Sequence, residues 1–294
     1  MNIGILTDST CDLDYKLLAK YDINTIPLNI NFSGNIYKDG IDITSCDFYD
    51  KMVEVKEIPG TSQPSAGLFL EKYKEMASKY DIILSLHISG KLSGTIESAR
   101  LASNQLDDIE IHVFDSQSTT LGLGFLVILA AEMIRKDYNI KKIINILKKA
   151  KENIDIYFSV NDLKYLEKGG RIGKAQALLG SVLNFNPILQ LNGCNGEVLP
   201  YKKVRGNKKT RKELLSVCEK IIESEKNIWF GFLKGKQDNK AEKFREELEI
   251  LLENYNDVKI NKEHGFISPV LASHTGPYVY GFVILKGEFL DNAD

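Results

Sequence analysis

The sequence predicts an α/β protein of two domains with a ligand cleft between them, and three observations carry that prediction. A chain of 294 residues exceeds the usual size of one domain. Short apolar runs alternate with amphipathic stretches along its length, the rhythm of a layered α/β architecture. Several early apolar runs end in clusters of small hydroxyl residues, at the place where open α/β sheets bind ligands.

In the first half, Asn2 to Leu6 reads as a strand, Leu13 to Lys20 as a helix and Thr25 to Ile30 as a strand, followed by helices at Phe48 to Val53 and Ala66 to Lys79. Asp81 to His87 and Ile109 to Phe114 are short apolar runs that suit buried parallel strands, with a helix at Leu92 to Asn104 between them. Leu121 to Ile134 is too short, at about fourteen residues, for a bilayer span and reads as a buried core helix. A Lys- and Asn-rich helix from Ile140 to Asn153 closes a first domain of residues 1–153. The second domain, 154–287, takes strands at Ile156 to Val160, Ile188 to Leu191, Ile228 to Leu233, Val258 to Ile260 and Val279 to Leu285. Its helices fall at Asp162 to Lys168, Ala175 to Leu183, Lys208 to Glu223 and Lys240 to Leu252, and residues 288–294 form a tail.

Composition narrows the function. A formal net charge of -2 gives no general pull toward nucleic acid or an anionic membrane, so any basic site is local. Cys11, Cys46, Cys194 and Cys218 include no CxxC pair, which suggests neither a metal site nor a disulfide framework and suits a reducing cytoplasm. The opening MNIGILTDST lacks the basic and apolar regions of a signal peptide.

The segments ILTDST, GTSQPS, LHISGKLSGT and VFDSQSTT each offer hydroxyls, backbone N–H groups near a helix start, and in two of the four a Gly or Pro that bends the chain. That combination suits an oxyanion such as a carboxylate or phosphate, and it equally suits helix caps, since both uses need the same donors. Gly122-Leu123-Gly124 lacks the third glycine of a dinucleotide loop, and Gly173-Lys174-Ala175 lacks the leading glycine and hydroxyl of a P-loop, which disfavours ATP or NAD. Gly90-Lys91-Leu92-Ser93-Gly94 puts its serine one place late for a nucleophile elbow, although Ser93 and His274 remain available as a dyad.

Among the histidines, His87 and His112 sit within strand sequence and read as structural, and His264 falls in a polar loop. His274 stands in a turn, Ser273-His274-Thr275-Gly276-Pro277, where an imidazole can donate to an anion and shifts easily near neutral pH. Arg171 follows two glycines at a helix end, either as a dipole-friendly cation or aimed into the cleft. Lys202, Lys203, Arg205, Lys208, Lys209, Arg211 and Lys212 lack interleaved aromatics and read as a docking face for an acidic or phosphate-bearing partner rather than for nucleic acid.

Seven segments in this order, TDSTCDL at 7–13, TSQPS at 61–65, ISGKLSGT at 88–95, VFDS at 113–116, LEKGGRI at 166–172, AQALLGSVLNFNPIL at 175–189 and HTGP at 274–277, closely resemble the DegV family. The resemblance implies two α/β domains enclosing a fatty-acid tunnel at or near their interface, with the carboxylate close to that interface. It implies a cytoplasmic bacterial lipid-binding subunit, not catalytic alone, that presents a long-chain fatty acid to a separate ATP-dependent fatty acid kinase for conversion to acyl phosphate. This serves phospholipid synthesis and requires no cofactor, no metal and at most a transient membrane contact.

Carried over by position, Thr61 and Ser62, then Ser93, Gly94 and Thr95, and His274 correspond to the carboxylate site, with Arg171 in support and Arg205 at the kinase-docking region. Leu178, Leu179, Val182, Leu183, Phe185, Ile188 and Leu189 are the tunnel-lining candidates. Gly90 stands where the family has a second serine and Tyr278 where it has glycine, changes that bear on transfer rate and acyl preference. The alternative left open by the residues is an acyl hydrolase or phosphotransferase using Ser93 and His274.

Overall fold

The computed structural model describes residues 2–55, 57–180, 185–255 and 259–292. The chain runs β1 (Ile3–Asp8), α1 (Tyr15–Lys20), β2 (Ile23–Ile26), β3 (Asn29–Phe32), β4 (Asn35–Lys38), α2 (Ser45–Val55), β5 (Gly60–Ser62), α3 (Ala66–Ala77), β6 (Ile82–His87), α4 (Thr95–Ser103) and β7 (Glu110–Asp115). Helices α5 (Thr120–Arg135) and α6 (Ile140–Glu152) lead to β8 (Ile154–Val160), α7 (Lys164–Lys168), β9 (Asn186–Asn192), β10 (Leu199–Val204) and α8 (Asn207–Ile222). The chain then forms β11 (Asn227–Lys234), α9 (Asn239–Glu253), β12 (Lys259–Phe266), α10 (Pro269–Thr275) and β13 (Val279–Lys286).

The strands form a parallel sheet ordered β2-β1-β6-β7, a mixed sheet ordered β10-β9-β8-β13-β11-β12 and a small antiparallel sheet β4-β3-β5. Every strand of the parallel sheet precedes residue 116 and every strand of the mixed sheet follows 153. Helix α5 lies between them, touching β1 and β6 on one side and β8, β11 and β13 on the other. Buried on nearly all sides, it merges both sheets into one core that joins Leu84 and Leu86 to Val283 and Leu285. Its approach to the first sheet depends on Gly124, where a Cβ would lie 2.6 Å from the Cys11 carbonyl oxygen. The outer face of the parallel sheet packs α3 and α4 through Phe69, Tyr73 and Ala99. That of the mixed sheet packs α8 and α9 through Leu214, Phe244 and Phe282.

A buried polar chain closes the ends of β1 and β6. Asp8 accepts hydrogen bonds from the Thr10 backbone N–H (3.1 Å), the Thr10 hydroxyl (2.6 Å) and the Ile88 N–H (2.9 Å), and its second oxygen lies 3.0 Å from His87 Nδ1. His87 Nε2 reaches the Ser85 hydroxyl at 2.6 Å, which meets the Tyr73 hydroxyl at 2.9 Å. This Asp-His-Ser order is sealed from the cavity described below, which makes it a structural clamp.

Some elements differ from expectation. The strand expected at Thr25 to Ile30 is two, β2 and β3, which belong to different sheets. Pro27 between them has no N–H to continue a ladder. Strands β4, β5 and β10 escape the sequence pattern because they are short and mostly exposed, leaving little apolar alternation to read. The helix expected from Ala175 to Leu183 is a 3-10 turn at Gly173–Leu178, and Val182 and Leu183 lie outside the described residues. His264 falls in β12 rather than in a loop. In the expected tail, a 3-10 turn at Glu288–Asn292 buries Leu290 in the main core.

Candidate functional site

A cavity of about 400 Å³ opens where the carboxyl ends of the parallel strands face α10 and the mixed sheet, within the usual size of small-molecule sites. Its wall is mostly apolar, with Ile88 and Leu92 from the first domain, Ile156 and Phe158 from β8, and Leu233 and Val279 from β11 and β13. Thr61, Ser62, Gln63, Ser93, Arg171 and His274 form a polar patch in it, and Thr119 and Thr120 a second, smaller one.

Pairing with β3 holds β5 in place, with Thr61 opposite Ile30 and Ser62 opposite Asn29. His274 lies in the last turn of α10, not in the turn expected from the sequence. Pro269 starts that helix, its fixed φ being suited to the first helical position, and the Ser268 N–H donates to Asp12 at 3.1 Å, tying α10 to the first domain. The result is a 2.7 Å hydrogen bond between Thr61 Oγ1 and His274 Nε2. Burial, reinforced by the positive charge of Arg171, pushes the imidazole down to about 4, so it is neutral at pH 7 and not poised near neutrality. Arg171 donates from Nε to the Leu92 carbonyl (2.8 Å) and from Nη1 to the Gly169 carbonyl (2.6 Å), bridging the two sides of the cavity. The patch thus combines hydroxyls, a neutral imidazole and one anchored cation, a set that can hold a monoanion without leaving a charge unpaired.

Ser93 lines the cavity, and its hydroxyl meets Thr95 Oγ1 at 2.8 Å. The structure gives no hydrogen bond between Ser93 and His274, the dyad left open by the sequence: Ser93 meets Thr95, and His274 Nε2 meets Thr61. Gly94 and Thr95 sit behind the wall, and a Cβ on Gly94 would lie 2.1 Å from Gln63 Oε1. Gln63, which donates to Ser98 at 3.0 Å, was missed as a site residue, although it lies inside the quoted TSQPS. Neither Gly90 nor Tyr278 lines the cavity.

None of the described tunnel-lining candidates is among the residues that line this cavity. Leu178 and Leu179 pack partly buried on the main core, Leu189 lies within that core, and Ile188 points to the opposite face of β9, against α8 and α9. Phe185 is 36% exposed beneath the Arg205 guanidinium, 5.2 Å from its ring centroid. For Ile188 the correction follows from strand alternation, which sends neighbours to opposite faces; on β9 it is Leu191 that lines the cavity. In the basic segment Arg211 is turned inward and paired with Glu247 at 2.9 and 3.1 Å, and Lys202 pairs with Glu213, which leaves a smaller docking face around Arg205.

Beside the second polar patch are two enclosed acids. Burial pushes Asp12 up to about 8 despite hydrogen bonds from Thr120 and Ser268. Burial likewise pushes Asp39 up to about 7; Ser9 and the Val270 backbone offset this only in part and make no well-formed hydrogen bond to it. Groups held protonated by the fold stabilise it fully below their ordinary 3.8 and lose that stability as pH rises through about 7 and about 8. His274 acts oppositely, but only as pH falls from 6.5 toward about 4. Folding stability therefore declines from pH 6.5 to 8, and Asp12→Asn flattens the decline. Urea midpoints across that range check this, and an unchanged slope in the variant refutes it.

Among the described residues no helix is long and apolar enough to cross a membrane, and no group of three His, Cys, Asp or Glu side chains is arranged to hold a metal ion.

Fold and site together define a two-domain α/β protein whose mostly apolar cavity carries a polar patch at the domain junction. The DegV family model, described as an uncharacterised protein family, matches residues 2–287, and the chain belongs to the DegV family. A DegV domain-containing protein of Clostridium acetobutylicum is 36% identical over 285 residues, 97% of this chain and 99% of that one. The structure of a DegV family protein from Thermus thermophilus, described as fatty-acid binding, superposes with a TM-score of 0.90 at 36% identity, covering 98% of this chain and 100% of that one. A stearic-acid-binding protein from Eubacterium ventriosum gives a TM-score of 0.88 at 28% identity, covering 98% and 99%.

Proposed function

We propose that this protein binds a long-chain fatty acid in the 400 Å³ cavity and presents its carboxylate to a separate ATP-dependent fatty acid kinase subunit in the cytoplasm, catalysing nothing alone. The observation that carries the reading is the union of a mostly apolar cavity with the Thr61–His274 pair at its wall. Fatty-acid binding by the Thermus and Eubacterium proteins supports it. The carboxylate accepts from the hydroxyls of Thr61, Ser62 and Ser93 and from the single N–H of the neutral His274, which turns from Thr61 to the ligand. Gly94 and Thr95 shape the loop, and Arg171 fixes the patch. The exposed basic face around Arg205 suits an acidic kinase surface.

The first experiment is native mass spectrometry of the purified chain, with extraction and identification of the bound lipid. A stoichiometric fatty acid supports the reading, and a lipid-free protein that also ignores added oleate refutes it. With the kinase supplied, His274→Ala lowers acyl phosphate formation about tenfold to a hundredfold, the range for a lost hydrogen bond to a charged group, while the melting temperature stays near that of the unaltered protein. Arg205→Glu lowers transfer but leaves fatty-acid affinity unchanged; loss of affinity in that variant refutes the docking role.

A further inference from the structure

The cavity carries polar atoms in two places, and a fatty-acid carboxylate accounts for only one of them. Thr119 and Thr120, at the start of α5, also line it. Asp12 fixes how far they stand from the first patch. One of its oxygens lies 2.6 Å from Thr120 Oγ1 and the other accepts from the Ser268 N–H at 3.1 Å, so Thr120 stands beside the start of α10. His274 is in the last turn of that helix, and the rise from Ser268 to His274, at about 1.5 Å per residue, separates the two patches by about 9 Å. Val270 and Leu271 line the cavity in between. A chain whose carboxylate meets Thr61 and His274 therefore passes Thr119 and Thr120 with its middle carbons.

The fold leaves hydrogen-bonding capacity on both hydroxyls. Thr119 occupies the N-cap position of α5, where Ser and Thr side chains ordinarily bond the free N–H groups of the first turn, yet its side chain makes no such bond. Its Oγ1 is closed to solvent and has no hydrogen-bond partner among the described residues. Thr120 shares one hydrogen bond with Asp12 and keeps further capacity, since a hydroxyl has one donor and two acceptor sites. Its backbone lies at φ 50°, in the left-handed region that β-branched residues avoid, and such strain persists only where the surroundings enforce it. An unmatched hydroxyl in an apolar wall is destabilising, and a plain hydrocarbon chain leaves it unmatched. Side by side, the two threonines complement a group that both accepts and donates. A secondary hydroxyl does both, whereas a keto or ether oxygen only accepts and a methylene does neither.

We infer that Thr119 and Thr120 form a second subsite, for a hydroxyl group at mid-chain, so that the ligands of this cavity include long-chain fatty acids hydroxylated near their middle. The inference rests on the fatty-acid reading of the cavity and adds to it a ligand class and two specificity-determining residues. Thr119 donates to the ligand hydroxyl, which donates in turn to Thr120.

Competition with a fluorescent fatty acid on the full-length protein tests this, using hexadecanoate and a series of hexadecanoates hydroxylated at successive carbons from the fifth to the fourteenth. Affinity is expected to peak within the series, at or above that of hexadecanoate, and to fall about tenfold toward both ends, the effect of a buried polar group left unmatched. Thr119→Val keeps the shape of the side chain and removes its hydroxyl. It lowers the peak about fivefold to tenfold and changes hexadecanoate binding less than about twofold, which also shows that the variant is folded. Thr119→Ser keeps the peak. A flat or evenly weakened series with hexadecanoate still bound overturns the subsite and leaves the fatty-acid reading intact. A peak that survives Thr119→Val, or one that is lost in Thr119→Ser, overturns the role of the hydroxyl. Binding of no member, hexadecanoate included, overturns both readings.

Discussion

Asp8→Ala is expected to cost about 3–5 kcal/mol of folding stability, the range for breaking a buried polar pair by removing one partner. The carboxylate and His87 are both 0% exposed. Its removal strands four donors at once, the backbone N–H and hydroxyl of Thr10, the Ile88 N–H and His87, in a site closed to bulk solvent. Against a typical total of about 5–15 kcal/mol, that loss moves a large share of the protein to the unfolded state at moderate urea. The contrast is Glu97→Ala, which removes an ion pair whose side chains are 48% and 63% exposed and costs under about 1 kcal/mol. Equilibrium unfolding of both variants decides the matter, and a loss below about 1 kcal/mol for Asp8→Ala means the clamp is not structural.

Fatty-acid affinity is expected to climb steeply with chain length and then stop. Each buried methylene contributes about 0.8 kcal/mol, close to fourfold in affinity, so the step from octanoate to hexadecanoate reaches about 6 kcal/mol if all of it enters apolar surroundings. The climb ends where the cavity is full, and Leu191→Phe moves that end to a shorter chain, because Leu191 lines the cavity and is 2% exposed. Phenylalanine is chosen over tryptophan because overpacking already costs about 1–3 kcal/mol. Competition binding with saturated acids of increasing length reads both effects. Affinity independent of length removes the cavity from the reading and leaves only the polar patch.

Much of the fold was legible in the chain. The run IILSLH is apolar enough to specify β6 as a strand covered on both faces, and α5 declares itself by an apolar stretch longer than any strand yet shorter than a bilayer. The polar patch was legible for a different reason. Its hydroxyl residues sit in short hydroxyl-rich segments near strand ends and helix starts, and those segments keep their residue types whatever the long-range packing. Gln63 shows the limit, since it lay inside a recognised segment yet nothing local marked it as a wall residue.

The sequence by itself determined the layered α/β class and the hydroxyl-rich segments of the site, because these depend on local composition and periodicity, and it pointed to the family through seven motifs that stand in the family's order. Only the tertiary structure decided which apolar residues face the cavity. Ile188 and Leu191 have similar hydropathy and share a strand, but the pleat sends one toward α8 and the other to the cavity wall. It also decided the state of His274, whose neutral imidazole follows from burial and from Arg171, a neighbour distant in sequence. The pairing of Thr61 with a histidine 213 positions away is likewise invisible until the chain has folded, since nothing local to either residue records the other's place.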